Sequence, residues 1–150
     1  MPEKQTLERV KRDRRQGKAA SRQAGEFIRE EMHHIRRGKH GARSSKQAIA
    51  IGLSKARRAG VRLAPPAPGS ASAKTRRRAR RDVQAGRHPK RRVSAKRSRG
   101  TMRALKRERR GAASRHALSR QTHRAARNRT HAERVAAARK AARTRKRRAG

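Results

Sequence analysis

The large apolar side chains of this 150-residue chain are concentrated before residue 64, where Leu7, Val10, Phe27, Ile28, Met32, Ile35, Ile49, Ile51, Leu53, Val61 and Leu63 lie. Beyond that point Val83, Val93, Met102, Leu105, Leu118 and Val135 are too dispersed in sequence to pack against one another. Hydrophobic residues make up 31% of the chain, many of them Ala, and charged residues 39%, so a single core cannot extend over its whole length. The expected architecture is all-α: a small three-helix N-terminal domain, then a basic tail that is mostly disordered or only conditionally helical.

Charge sets the kind of partner. Lys and Arg number 49 against 9 Asp and Glu, a net charge of +40. So large a charge repels itself until a polyanion neutralises it, and nucleic acid is the abundant cellular polymer able to do so. At one phosphate per roughly 1.7 Å of duplex axis, full neutralisation would take about 68 Å, or about 20 base pairs. Phe27 is the only Phe, Tyr or Trp, so the base-stacking platforms of single-strand recognition are missing. There is no Cys for disulfides or thiolate chemistry, no apolar run resembling a signal peptide, and no window of the 18 or so apolar residues that span a bilayer. These features predict a cytoplasmic protein without a membrane partner.

The uncharged stretch from Ala64 to Ala73, rich in Pro, Gly, Ser and Ala, reads as a linker. It separates residues 1–63, with 18 basic and 6 acidic side chains (net +12), from residues 64–150, with 31 basic and 3 acidic (net +28). In the first part, Pro2 and Glu3 suit a helix start, Leu7 and Val10 share a face, and Gly17 supplies a left-handed end. From an N-cap at Ser21, Ala24, Phe27, Ile28, Met32 and Ile35 follow helical spacing up to Gly38. Ser44 and Gln47 have capping-box spacing ahead of Ala48, Ile49, Leu53 and Ala56, and Gly60 ends that third helix. Gly52 would let another backbone approach, and Val61 and Leu63 would fold back on the bundle.

In residues 74–150, Arg-rich runs recur at 76–81, 87–92, 103–110 and 143–148. From Ala112 to Ala149 there is neither Gly nor Pro, which predicts helix from about 112 to 149. On one such helix Arg120, Arg124, Arg127, His131 and Arg134 would align as a basic stripe. Like charges there repel, so the helix is expected to strengthen when phosphates cover it.

Catalytic chemistry finds few candidates. Glu30, Glu31, His33 and His34 are the one local cluster of titratable groups, with Glu30 and His34 four residues apart on one helix. Two ligands do not make a metal site and the HExxH pattern is missing, so the cluster reads as a surface ion pair with solvated histidines. Gly38-Lys39-His40-Gly41 lacks the spacing of a phosphate-cradling loop and reads as a hinge. Gly86-Arg87-His88-Pro89-Lys90-Arg91-Arg92 looks faintly like an AT-hook with its core order broken, and reads as a phosphate-binding run. No catalytic residue, metal or cofactor is expected, and the chain is not read as an enzyme.

The run Gly41-Ala42-Arg43-Ser44-Ser45-Lys46-Gln47-Ala48-Ile49-Ala50-Ile51-Gly52-Leu53-Ser54-Lys55-Ala56-Arg57-Arg58-Ala59-Gly60-Val61, with the upstream segment from Ala24 to Glu31, resembles a family of small, basic bacterial proteins of unknown function. Members of that family sometimes carry plasmid-stabilisation or DNA-binding labels. The resemblance covers about residues 1–65; it implies an N-terminal domain and brings no catalytic residues. The tail is similar in composition to the basic tails of histone-like proteins.

The leading expectation is therefore a nucleoid-associated protein that binds DNA with little sequence preference, since phosphate contacts position a protein without reading bases. The residues expected to carry it are Arg57 and Arg58 at the end of the third helix, Arg76, Arg77, Arg78, Arg80 and Arg81, then Arg107, Arg109 and Arg110, and the stripe Arg120, Arg124, Arg127 and Arg134. DNA is favoured over RNA. One alternative is a ribosome-associated, RNA-binding protein. Another is a plasmid-maintenance module in which residues 21–60 bind a second copy or a protein partner while the tail anchors the complex.

Overall fold

The structure, a computed structural model, describes residues 2–88 and 94–149. It is all-α, with no strand among the described residues. The elements in chain order are α1 (Lys4–Arg15), α2 (Ala20–Arg36), α3 (Ser45–Arg58), α4 (Ala73–Arg87), α5 (Ala95–Lys106), a 3-10 turn at Arg110–Ala113, α6 (Arg115–Arg127) and α7 (His131–Ala149). The chain forms two compact units, one through Ser114 and one from Arg115 onward. No helix among the described residues is long and apolar enough to cross a membrane.

The first three helices form where the apolar spacing places them. Ala24, Phe27 and Ile35 of α2 are essentially inaccessible, and Ala56 and Val61 join Ala24 and Phe27 in a core against which Leu7, Val10, Leu53 and Leu63 pack. Val61 and Leu63 do fold back as expected. Gly52 is the close contact between α2 and α3, since a Cβ there would lie 2.7 Å from Ile28 Cα. The α2 start differs from expectation: the helix begins at Ala20, and its N-cap, Ala19, provides no side-chain hydrogen bond. At α3 the Ser44 Oγ accepts from Gln47 N, while the Gln47 amide oxygen accepts from Arg43 N in place of Ser44 N.

The three-helix domain is too small a description of the first unit. The stretch expected to be a linker returns the chain onto α3, and α4, capped by Ser72 Oγ accepting from Thr75 N, packs there. Its inward face is made of Ala79, which is buried, together with Asp82, Val83 and Gly86. Ser54 Oγ donates to Asp82 Oδ2 at 2.8 Å, and a Cβ on Gly86 would collide with the carbonyl oxygen of Arg57. The small residues Ala79 and Gly86 let α4 approach closely, with Val83 the one large apolar side chain on that face.

Residues 105–113 dock on the loop between α2 and α3. Gly41 N donates to Leu105 O at 2.9 Å, Ala42 N to Arg109 O at 3.1 Å, Ser45 Oγ to Ala112 O at 2.6 Å, and Arg36 Nε to Ala113 O at 2.9 Å. Ala112 and Ala113 are buried, and a Cβ on Gly41 would collide with the Glu108 carbonyl. The loop expected to act as a hinge is thus a packed surface, bonded on both sides of Gly41. The expectation of a coreless tail fails here as it does at α4, through small groups: backbone bonds and the methyls of Ala112 and Ala113 here, Ala79 and Gly86 there, stand in for large side chains.

The tail, expected to be mostly disordered or only conditionally helical, is instead helical: α4 and α5 lie in it, and from Arg115 onward it forms two pieces instead of the one helix expected. Thr130 interrupts it by capping α7: its Oγ1 accepts from Glu133 N at 3.2 Å, while Glu133 Oε2 accepts from Thr130 N at 2.9 Å. This reciprocal pair is a capping box, which favours a helix start at His131 over continuation from α6.

Candidate nucleic-acid interface and a buried charge cluster

The expected nucleic-acid residues fall into distinct environments. Arg57 is buried; its guanidinium donates to Leu63 O at 3.3 Å and Ala64 O at 3.2 Å, holding the chain as it leaves the third helix. Burial lowers its pKa below the usual arginine value, and Asp82 nearby opposes that shift. Its neighbour Arg58 is exposed. On α4, Arg77, Arg78, Arg80 and Arg81 are exposed and Arg76 is half-buried; Lys74, Arg77, Arg80 and Arg81 border one shallow basic groove. Arg107, Arg109 and Arg110 are exposed around the docked turn, with the Arg110 guanidinium against Gly38.

The stripe is divided by the capping box. Arg120, Arg124 and Arg127 are exposed on α6, whereas His131 and Arg134 are exposed on α7. A separate basic run follows on α7, where Arg139, Lys140, Arg143 and Arg147 border a common surface with Val135. In the AT-hook-like segment, residues 89–92 lie outside the described residues.

Acidic side chains are distributed in the opposite way. Glu26 faces Arg9 and Arg29, Asp13 accepts from Lys18 Nζ at 2.7 Å, and Glu3 accepts from Lys39 Nζ at 2.7 Å and His34 Nε2 at 2.8 Å. Among the described residues, the ion pairs all lie within residues 3–55. The Lys39 ammonium, and then the His34 ring, hold the Glu3 carboxyl down to about 2.

The cluster read from sequence as a surface ion pair is largely interior. Glu30, Glu31, His34 and His40 are buried and only His33 is exposed. Lys55 of α3 reaches both acids, at 3.3 Å from Glu30 Oε1 and in direct contact with Glu31 Oε1. Glu30 Oε2 accepts from the backbone N of Glu3 at 3.1 Å, so the α1 start is tied to α2. His40, which the sequence left scattered, enters from the packed loop and stands edge-on to His34 with ring centroids 5.9 Å apart. The apolar stripe on α2 puts Glu31 and His34 against the loop, and the bonds of Gly41 and Ala42 hold His40 beside them.

The fold and surface define a small all-α protein with a densely basic exterior. Residues 4–66 match the model of a family of unknown function (DUF6496), which covers α1 to α3 and the chain leaving them. No curated protein and no solved structure matches the chain.

Proposed function

We propose that the protein binds nucleic acid through phosphate contacts, with DNA the favoured polymer and little dependence on base sequence. The observation that carries this reading is the separation of charge. The ion pairs among the described residues all lie within residues 3–55, while the exposed arginines of α4, α6 and α7 stand outside that region. Arg forks grip phosphate oxygens in pairs, and helices carrying them can follow a backbone without reading base edges. Arg58, the α4 ridge and the exposed arginines of α6 and α7 are the contact residues of this reading; Arg57 serves the fold. Phosphates would also relieve repulsion along α6 and α7, so binding should strengthen those helices. In the cell such a protein would associate with the nucleoid.

The test is recovery of the full chain crosslinked in cells, followed by nuclease treatment. Release of the bound polymer by DNase supports the reading. Release by RNase alone would assign the protein to RNA, and absence of any nucleic acid would remove the proposal.

A further inference from the structure

The buried carboxylate of Glu31 faces two histidines whose outer nitrogens are already committed. His34 Nε2 lies 2.8 Å from the Glu3 carboxylate, and His40 Nδ1 lies 3.0 Å from the Gly41 carbonyl. Both partners only accept, so those nitrogens carry the ring hydrogens. A neutral ring then presents its lone pair on the other nitrogen. Those remaining nitrogens are the ones turned to Glu31: His40 Nε2 is 3.5 Å from Oε2, and His34 Nδ1 is 3.7 Å from Oε1. Acceptors therefore face acceptors in the interior. Glu31 Oε2 is buried and has no hydrogen-bond partner among the described residues. Lys55 does not relieve it, because its ammonium lies on the other oxygen, Oε1.

We infer that Glu31, His34 and His40 form a binding site for one divalent transition-metal ion, zinc being the best match. Three arguments converge. Two ligand atoms about 2.1 Å from a tetrahedral zinc are about 3.4 Å apart, close to the 3.5 Å between His40 Nε2 and Glu31 Oε2, the oxygen that Lys55 leaves free; the 3.7 Å from His34 Nδ1 runs to the other oxygen, Oε1. The three ligand atoms lie within 4.8 Å of one another, so binding would draw the widest pair together. Imidazole and carboxylate suit zinc, and the outer bonds of His34 to a carboxylate and of His40 to a backbone carbonyl are the supports that metal-bound histidines characteristically use. A proton on His40 would satisfy one facing pair; a dication satisfies both.

The site lies where α2, the Gly38–Ala42 loop and, through Glu3, the start of α1 converge. Gly41 next to His40 bonds to Leu105, so an ion there would also stiffen the surface on which residues 105–113 dock. The inferred role is structural, and it is independent of nucleic-acid binding at the arginines.

The test uses the full chain, stripped with a chelator and titrated with Zn2+ against a chromophoric competitor, with thermal unfolding followed in parallel. One ion should bind per chain and raise the melting temperature. His40→Gln should weaken binding by at least about tenfold. Glu3→Gln, at a half-exposed position outside the core, should weaken it by about 10- to 100-fold through loss of support to His34. Exposed His33→Gln should leave it unchanged. If His40→Gln fails to fold by circular dichroism, Glu3→Gln decides the matter. Absence of stoichiometric zinc, or equal affinity in parent and Glu3→Gln, would overturn the site.

Discussion

His40 holds its Nε2 3.5 Å from Oε2 of Glu31 while its Nδ1 is bonded to the carbonyl of Gly41. One residue of an eight-residue connection thus joins the buried acids of α2 to the loop on which residues 105–113 dock. The neighbouring glycine makes the second half of that junction, because the backbone at Glu108 occupies the place of its missing side chain. Each half can be tested by itself.

Gly41→Ala should destabilise the first unit by about 1–3 kcal/mol, the ordinary effect of forcing a methyl into a packed contact. The amide of Ala42, bonded to Arg109 O, should exchange faster with solvent as residues 105–113 loosen. Gly100→Ala has the opposite expectation. Gly100 lies within α5 with no atom near its absent Cβ, so Ala should stabilise that helix by about 0.5–1 kcal/mol. Denaturant unfolding and hydrogen exchange measure both.

Thr130→Ala should cost the start of α7 about 1 kcal/mol by removing one half of the capping box. The expected sign is a loss of helical chemical shifts at residues 131–135 in the full chain, with α6 unaffected. Unchanged shifts would mean that Ala and Arg propensity alone sustains α7.

Asp13 ties the α1–α2 turn together through Lys18, whose side chain donates to the carboxylate and whose backbone N donates to the Asp13 carbonyl at 2.9 Å. The Lys18 bond holds the carboxyl below its ordinary 3.8. Because the folded value is the lower one, the ionised pair contributes fully above 3.8 and its contribution is lost as pH falls through the lowered value. Asp13→Asn should therefore be less stable than the parent at neutral pH. That difference should narrow as the medium is acidified below 3.8, as urea unfolding at a series of pH values would measure.

Much of the first unit is written in local sequence pattern. The 3.6-residue spacing of Ala24, Phe27, Ile28 and Ile35 defines α2, Ser44 marks the start of α3, and Gly52 marks the helix crossing. What pattern reading misses is packing by small groups. Ala79 and Gly86 seat α4, and Ala112 and Ala113 seat the 3-10 turn, yet none has the bulk that makes an apolar face visible. The break at Thr130 was legible, since Thr130 and Glu133 have capping-box spacing, but a run without Gly or Pro outweighs it when read by propensity. Arg57 looks like its neighbour Arg58 in sequence; only the return of Leu63 and Ala64 gives its guanidinium an interior partner. Glu31, His34 and His40 are close in sequence, but their meeting depends on a loop fixed by bonds to residues more than sixty positions away.

The most direct measurement of the nucleic-acid reading is a titration of the full chain with duplex DNA across a range of salt, for the parent and for a variant with Arg77, Arg78, Arg80 and Arg81 all replaced by Ala. These four side chains are exposed on α4, away from the Ala79 and Gly86 contact, so the variant should keep the fold. Each lost phosphate contact removes about 0.9 from the slope of log affinity against log salt, so the slope should become shallower by about 3–4. An unchanged slope in a folded variant would contradict phosphate binding by the α4 ridge.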